Sequence, residues 1–79
     1  KKGKLPIGNV AVADVYTKMR ELFPDAKENT IDGLRLDFAD RSWIHVRPSN
    51  TEPILRYILE AMDEQRADEL LETIEGVVK

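Results

Sequence analysis

Residues 34–47 read Leu34-Arg35-Leu36-Asp37-Phe38-Ala39-Asp40-Arg41-Ser42-Trp43-Ile44-His45-Val46-Arg47. Apolar and polar residues alternate on both sides of residues 39–41, which is typical of two β-strands that are each buried on one face. A three-residue turn pairs Leu36 with Ile44, so that the apolar faces match. A two-residue turn would pair Leu36 with His45 instead. The sequence therefore predicts an antiparallel pair of strands joined by the longer turn.

The same register divides the second strand into two faces. Leu34 faces Val46, so both side chains contribute to the buried face. Trp43, His45 and Arg47 then lie on the opposite face. Arg47 is therefore predicted to point away from the core, toward whatever this face of the sheet meets.

Further strands are predicted on both sides of this pair. Residues 29–31 precede Asp32-Gly33, a dipeptide that favours a two-residue hairpin turn because both positions require φ above zero. Residues 54–61 predict a strand that returns antiparallel and is apolar on both faces except at Arg56 and Glu60. The sheet is thus expected to have about four strands.

Two amphipathic helices flank the predicted strands. The first begins at Asp14, a residue type that caps helix N-termini, and ends before Pro24, since proline disfavours helical geometry in the residue before it. Its apolar stripe is Val15, Met19, Leu22 and Phe23. The second helix is capped by Asp63, and Gly76 weakens its last turn. Its apolar stripe is Ala67, Leu70, Leu71, Ile74 and Val78.

These elements predict an α+β domain of two layers, with both helices packed on one face of an antiparallel sheet. Residues 9–79 form the domain in this prediction, and residues 1–8 are a loose, basic linker or hinge before it. A chain of 79 residues builds only one small core, which is consistent with support from a neighbouring domain.

The composition argues against several classes of protein. With 42% apolar and 34% charged residues, the chain is globular rather than disordered. A net charge of −3 argues against general nucleic-acid binding, and no segment has the length of a membrane span or the pattern of a signal peptide. The absence of cysteine removes disulfides and thiolate zinc sites, and it fits a reducing cytoplasm. A single histidine does not form a histidine metal site on its own.

Residues 47–53, Arg47-Pro48-Ser49-Asn50-Thr51-Glu52-Pro53, form a polar loop between two predicted strands. The two prolines fix their own φ and favour extended geometry in the residues before them. The loop N–H groups can then converge with the side chains of Ser49, Asn50 and Thr51. The planar guanidinium of Arg47 matches two oxygens of a phosphate or carboxylate. The loop is therefore predicted to bind an oxyanion, with phosphate as the best fit.

A plain strand connection is the alternative interpretation of this loop. Ser, Asn and Thr are common in ordinary turns, where their side chains bond their own backbone. The loop also lacks the glycines and the Lys-Ser/Thr ending of a Walker A loop, and a strand follows it rather than a helix. Without a helix N-terminus, side chains would have to supply most of the binding.

The loop resembles the phosphate-binding loop in the C-terminal domain of the α-D-phosphohexomutases, the phosphomannomutase/phosphoglucomutase family. The resemblance includes residues 30–36, 53–56 and 60–61, and it spans the chain from about Asn9 to the final helix. It implies the TATA-binding-protein-like fold of these domains, in agreement with the two-layer prediction. Asn50 makes the chain look closer to the mannose/glucose branch, because phosphoglucosamine mutases usually have glycine there.

The resemblance implies a function within a longer protein. Full-length members have four domains and move a phosphoryl group between C1 and C6 of a hexose phosphate, using a phosphoserine and a Mg²⁺ site in the earlier domains. The C-terminal domain grips the phosphate that is not transferred. By position, its ligands would be Arg47, Ser49, Asn50 and Thr51. Pro48 and Pro53 would shape the loop, Arg56 would add long-range positive charge, and Glu52 has no assigned role.

The partners implied by the resemblance are a phosphosugar and the other domains of the same chain, and neither nucleic acid nor membrane is expected. No catalytic residue or metal ligand is predicted here, since Ser49 and His45 lack the glycines of a nucleophile elbow. His45 is predicted to lie at the surface, and Trp43 to pack on the sheet rather than stack on a sugar. The alternative function is a stand-alone module that binds a protein or phosphopeptide through the exposed sheet face.

Overall fold

The computed structural model describes residues 1–78, which form one antiparallel sheet and two helices. The elements are β1 (Lys2–Pro6), α1 (Val12–Leu22), β2 (Lys27–Asn29), β3 (Leu34–Asp37), β4 (Trp43–Pro48), β5 (Ile54–Glu60) and α2 (Glu64–Val77). The five strands lie in the order β1-β5-β4-β3-β2. The predicted α+β class is confirmed, with five strands in place of about four.

A single core lies between the helices and one face of the sheet. Leu34 pairs with Val46 and Leu36 with Ile44, in the register that the three-residue turn predicts, and each is at most 1% exposed. The core consists of Leu5, Ile7, Val15, Met19, Leu34, Leu36, Ile44, Val46, Leu55, Leu59, Ala67, Leu70, Ile74 and Val77. Full burial of one large aliphatic side chain stabilises the fold by roughly 1.5–3 kcal/mol. The central strands, which position the exposed face, are therefore firmly held.

The turn between β3 and β4 is closed by its own hydrogen bonds. The Phe38 N–H donates to the Ser42 carbonyl at 2.9 Å, and Arg41 adopts a φ of 73° between them. The Asp40 carboxylate accepts from the Ser42 N–H at 3.0 Å and from the Ser42 hydroxyl. These two bonds, the hydroxyl one foremost, lower the pKa of Asp40 from its ordinary value.

The first residues are not a loose linker. β1 lies at the edge of the sheet, where Leu5 pairs with Leu55 and is only 4% exposed. The Ile7 N–H then donates to the Pro53 carbonyl at 3.0 Å. The prediction of a loose segment over residues 1–8 is therefore wrong for residues 2–6. The lysines that suggested an exposed arm alternate with inward-facing residues, which is the pattern of a half-buried strand.

The buried faces of the two helices agree with the prediction better than the positions of the helix ends do. α1 is capped by Ala11, which makes no side-chain hydrogen bond, and Asp14 lies in the first turn instead of at the cap. In α2 the Asp63 side chain caps as predicted, accepting from the Arg66 N–H at 2.8 Å. This helix continues past Gly76 and buries Val77. Neither helix within residues 1–78 has the length and apolar character required to span a bilayer.

The connection from β2 to β3 is longer than the predicted two-residue turn. Asn29 pairs with Arg35, so β2 ends at Asn29, and Ile31 is 91% exposed. The Asn29 side chain accepts from the Ile31 N–H at 2.9 Å, a local bond that competes with strand pairing. Gly33 has the expected positive φ of 78°, while Asp32 does not share it.

Candidate anion-binding site

The loop of residues 49–53 is fixed at both ends by strand pairing. Pro48 pairs with Leu55 at the end of β4, and the Ser49 N–H donates to the Ile54 carbonyl at 3.1 Å. The Pro53 carbonyl is held by Ile7, next to β1. The loop is therefore a short connection between β4 and β5 whose two ends are held by the sheet.

One open cavity of about 550 Å³ collects the predicted loop residues. It is lined by Ile31, Asp32, Gly33, Arg47, Pro48, Ser49, Asn50, Thr51 and Arg56. The structure thus brings all four predicted phosphate ligands to one place. The lining also includes Arg56, which was expected to act only at long range, and the turn at residues 31–33, which was not predicted to lie there.

The hydroxyls of Ser49 and Thr51 lie close together inside this loop. Their oxygens are 3.4 Å apart, and the Ser49 hydroxyl also accepts from the Thr51 N–H at 3.3 Å. The N–H groups of Ser49 and Thr51 therefore already have acceptors, and the expected convergence of three amides is not formed. Most of the hydrogen-bond donors available at this cavity therefore belong to side chains.

Arg47 makes an ion pair across the cavity with Asp32. The Arg47 Nη1 lies 3.3 Å from the Asp32 Oδ2, and both side chains are more than half exposed, at 54% and 66%. An exposed pair of this kind contributes at most about 1 kcal/mol to stability. His45 contacts the carbonyl oxygen of the same Asp32. His45 and Arg47 of β4 therefore both hold the turn at residues 31–33 against that strand. A stronger anion can displace the carboxylate from Arg47 at small cost.

Arg56 lies directly opposite Arg47 in the pairing of β4 with β5. Side chains at such positions point to the same face with their Cβ atoms about 4.5–5.5 Å apart, and like charges there destabilise the sheet. Both arginines line the same cavity. An anion bound between them would convert this repulsion into two charge-assisted contacts.

The sequence matches the family model described as phosphoglucomutase/phosphomannomutase, C-terminal domain, over residues 8–77. The chain belongs to this family. The resemblance seen in the 47–53 loop is thereby confirmed, and the α+β fold with one antiparallel sheet is compatible with it.

Several curated relatives of this phosphohexomutase domain are similar to it under different names. A probable phosphoglucosamine mutase of Methanobrevibacter smithii is 45% identical over 77% of the chain. A phosphomannomutase of Methanocaldococcus jannaschii is 39% identical over 81%, and a phosphopentomutase of Thermococcus kodakarensis is 46% identical over 76%. The chain spans only 14% of the length of each relative. These names do not separate the branches, so the preference drawn from Asn50 stays a prediction.

Trp43 of the phosphohexomutase domain is engaged by its neighbours on the exposed sheet face. The Arg35 guanidinium lies 4.3 Å from the centre of the Trp43 ring, and the indole N–H donates to Glu60 at 3.2 Å. Asp37 holds Arg35 in place through hydrogen bonds that raise the pKa of Arg35. These contacts agree with the expectation that Trp43 packs on the sheet.

The site of this phosphohexomutase domain has the wrong donors for a divalent cation. Its charged groups are two arginines and one aspartate, whereas Mg²⁺ requires several oxygen ligands and repels guanidinium groups. Within residues 1–78, no three His, Asp or Glu side chains come together as a possible metal site. The Mg²⁺ that the resemblance implies does not fit the residues present here.

Proposed function

We propose that this domain binds the phosphate of a hexose phosphate that is not being transferred, within a longer phosphohexomutase that moves a phosphoryl group between C1 and C6. The observation that supports this proposal is the shared cavity at the β4–β5 junction. It collects Arg47, Ser49, Asn50, Thr51 and Arg56 around one open volume.

The chemistry of the cavity fits a phosphate dianion. Arg47 offers a planar pair of N–H donors, which matches two phosphate oxygens. Arg56 offers a second guanidinium from the neighbouring strand. The two hydroxyls and the Asn50 carboxamide can donate to the remaining oxygens. Phosphate must compete with Asp32 for Arg47, and a dianion has the advantage of greater charge.

Gripping the phosphate that does not react serves catalysis at the other end of the sugar. Binding energy gained at a remote group can hold the reacting oxygen in the geometry of attack. The phosphoryl donor and the Mg²⁺ site would lie in other domains of the longer protein. The loop side chains of Asn50 and Thr51 are exposed, so the site is open enough to accept the substrate in either orientation. In this proposal the domain closes over the substrate by a hinge motion.

The proposal is tested by following backbone amide signals of this chain during titration with inorganic phosphate and with glucose 1-phosphate. We expect saturable shifts at residues 47–51 and at Arg56, and a loss of affinity of tens of fold in Arg47→Ala. Arg20→Ala is the matched control, because Arg20 is an exposed arginine on α1 that pairs with Glu28, away from the cavity. Equal affinity losses in both variants would show that only the net charge matters, and the proposal would fail.

The same titration distinguishes the alternative function. A module for phosphopeptides would bind a phosphoserine peptide more tightly than glucose 1-phosphate, and its shifts would extend along the exposed face to Trp43 and Glu60. We expect the peptide to bind no more tightly than inorganic phosphate.

A further inference from the structure

The turn at residues 31–33 places a carboxylate in the same cavity as the predicted phosphate ligands. The Oδ2 atom of Asp32 lies 3.3 Å from the Nη1 atom of Arg47, and both residues line the cavity. Among residues 1–78, Asp32 is the only acidic side chain in that lining, which also contains the guanidinium groups of Arg47 and Arg56. A carboxylate at this position repels a negatively charged ligand, so its presence in a phosphate site requires a physical reason.

Two contacts hold the turn against β4 independently of this ion pair. Gly33 packs so closely on the backbone of β4 that no space remains for a Cβ atom. His45 of β4 contacts the carbonyl oxygen of Asp32. Neither contact uses the Asp32 carboxylate. An anion that displaces this carboxylate from Arg47 therefore leaves it close to the cavity, because the backbone that carries it stays in place.

The ion pair between Asp32 and Arg47 is weak enough for a ligand to replace it. Its hydrogen bond, at 3.3 Å, is longer than the 2.7–2.9 Å that is usual for a charge-assisted bond. Both side chains are more than half exposed, and exposed ion pairs contribute little to stability. Asp32 therefore competes with a ligand for Arg47 without blocking the cavity.

We propose that Asp32 sets the phosphate affinity of this domain: its carboxylate binds Arg47 in the empty site, weakens phosphate binding by competition, and binds Arg47 again when the phosphate leaves. The inference rests on the proposed function, in which Arg47 grips the phosphate that is not transferred. The apparent affinity of a site falls with the fraction of molecules in which the site is free to bind. The displaced carboxylate also stays near the bound phosphate and repels it, which weakens binding further.

Weak binding is useful at a site that must release its ligand often. A sugar phosphate that binds in either orientation has to leave the loop before it can return the other way round, and ligand release limits the rate of many enzymes. Arg56 lies directly opposite Arg47, so the two guanidinium groups repel each other when no anion is present. Exchange of phosphate for Asp32 keeps a negative charge beside Arg47 throughout release. Asp32 thus acts through Arg47 as a positioning residue.

The test compares wild type with Asp32→Asn and Asp25→Asn by amide-shift titration with inorganic phosphate and with glucose 1-phosphate. Asparagine keeps the size of aspartate and removes its charge. Asp25 is the matched control, because it is an exposed aspartate that does not line the cavity and forms no ion pair among residues 1–78. We expect Asp32→Asn to bind both ligands about threefold to tenfold more tightly than wild type, as for the loss of one exposed charge, and Asp25→Asn to match wild type.

Kinetics of the longer enzyme provide a second measurement, because KM and kcat should respond differently to Asp32→Asn. KM for glucose 1-phosphate should fall by a factor similar to the gain in affinity, since the phosphate no longer competes with a carboxylate for Arg47. The value of kcat should not rise, because release becomes no faster. A variant that merely damages the turn would raise KM, and that result would overturn the inference.

Three results of the titration would also overturn the role of Asp32. Weaker binding of glucose 1-phosphate by Asp32→Asn would show that the carboxylate is a ligand of the sugar and not a competitor. Equal gains in Asp32→Asn and Asp25→Asn would show only a general effect of net charge. Loss of binding in Arg47→Ala with no gain in Asp32→Asn would sustain the proposed function and overturn this inference alone. Unchanged binding in Arg47→Ala is the separate result that contradicts the proposed function itself.

Discussion

Gly33 lies against the backbone of β4 so closely that a Cβ atom there would collide with the carbonyl oxygen of Val46 and lie 2.8 Å from the Cβ of Arg47. The contact joins the turn at residues 31–33 to the strand that carries Arg47. The φ of Gly33, 78°, further restricts which residues fit at this position, because residues with a side chain rarely adopt a positive φ.

Replacing Gly33 with alanine should lower the free energy of unfolding by about 2–3 kcal/mol, because backbone strain and collision add. Gly8→Ala separates the two causes. Gly8 also has a positive φ, of 54°, but no atom lies within 4 Å of its Cβ position, so about 1 kcal/mol is expected. Chemical denaturation of both variants measures the difference. Equal losses would mean that β4 yields to the added methyl group.

Removing the guanidinium of Arg47 should affect catalysis much more than stability. In the longer enzyme, Arg47→Ala should lower kcat/KM by tens to several hundredfold, corresponding to roughly 2–4 kcal/mol for a bidentate charged contact. Arg47→Lys should recover part of the loss, because it keeps the charge and loses the fork. Arg47 is exposed, so Tm should change little. A kcat/KM within twofold of wild type in Arg47→Ala would show that Arg47 does not grip the phosphate.

Acid should destabilise the β3–β4 turn through Asp40. The pKa of Asp40 is lowered from 3.8 mainly by hydrogen bonds from Ser42, so its contribution to stability is fully present above about pH 4 and is lost as pH falls through the lowered value. Ser42→Ala should raise the pKa of Asp40 toward 3.8, because the hydroxyl is the largest cause of the shift. Carboxyl NMR titration measures both midpoints. An unchanged midpoint in Ser42→Ala would mean that the Ser42 N–H and Arg66, which the substitution leaves in place, cause the shift.

The N-terminus of α1 lacks a side-chain cap, so a substitution there can stabilise the helix. Ala11 has the extended geometry of a cap residue, with φ −72° and ψ 137°, but no side-chain acceptor. Ala11→Ser should stabilise the domain by about 0.5–2 kcal/mol, since the hydroxyl can accept from an N–H in the first turn. Asp63→Ala removes the existing cap of α2 and should destabilise the domain by a similar amount. Opposite shifts of Tm in the two variants would be the expected signature, and a fall in Tm for Ala11→Ser would contradict it.

The isolated chain should convert no hexose phosphate into its isomer, with or without Mg²⁺. The site described here holds no phosphoryl donor and suits an anion rather than a metal ion. A coupled assay of purified chain with glucose 1-phosphate checks this expectation, with the longer enzyme as positive control. Turnover by the chain alone would show that it contains a catalytic group and would contradict this expectation.

The sequence predicted those parts of the fold in which a shift of register is costly. Pairing Leu36 with Ile44 is the arrangement that buries both apolar faces at once, and the structure has it. The same reasoning gave the wrong end for β2, because Asn29 and its neighbours are exposed and no buried face selects the register of this strand. It also failed at β1, because the lysines were interpreted as a charged segment although Leu5 between them is buried.

The sequence predicted which loop residues belong to the site but not how the site is arranged in space. The loop residues could be named because Pro, Ser, Asn and Thr lie next to an arginine at a strand end. The position of Arg56 beside Arg47 depends on the register of β4 with β5, which was not predicted from the sequence. The Asp32–Arg47 ion pair depends on how the 31–33 turn folds over β4, a tertiary feature without a local sequence signal.

The two edge strands also determine how the sheet behaves in concentrated solution. Open edges invite pairing with other molecules, and natural sheets block this with short strands, lysine and proline. Here β2 has three exposed residues, including Lys27, and β1 has two exposed lysines and ends at Pro6, which has no N–H to donate. Lys4 of β1 therefore helps to keep one copy of the domain from adding to the sheet of another.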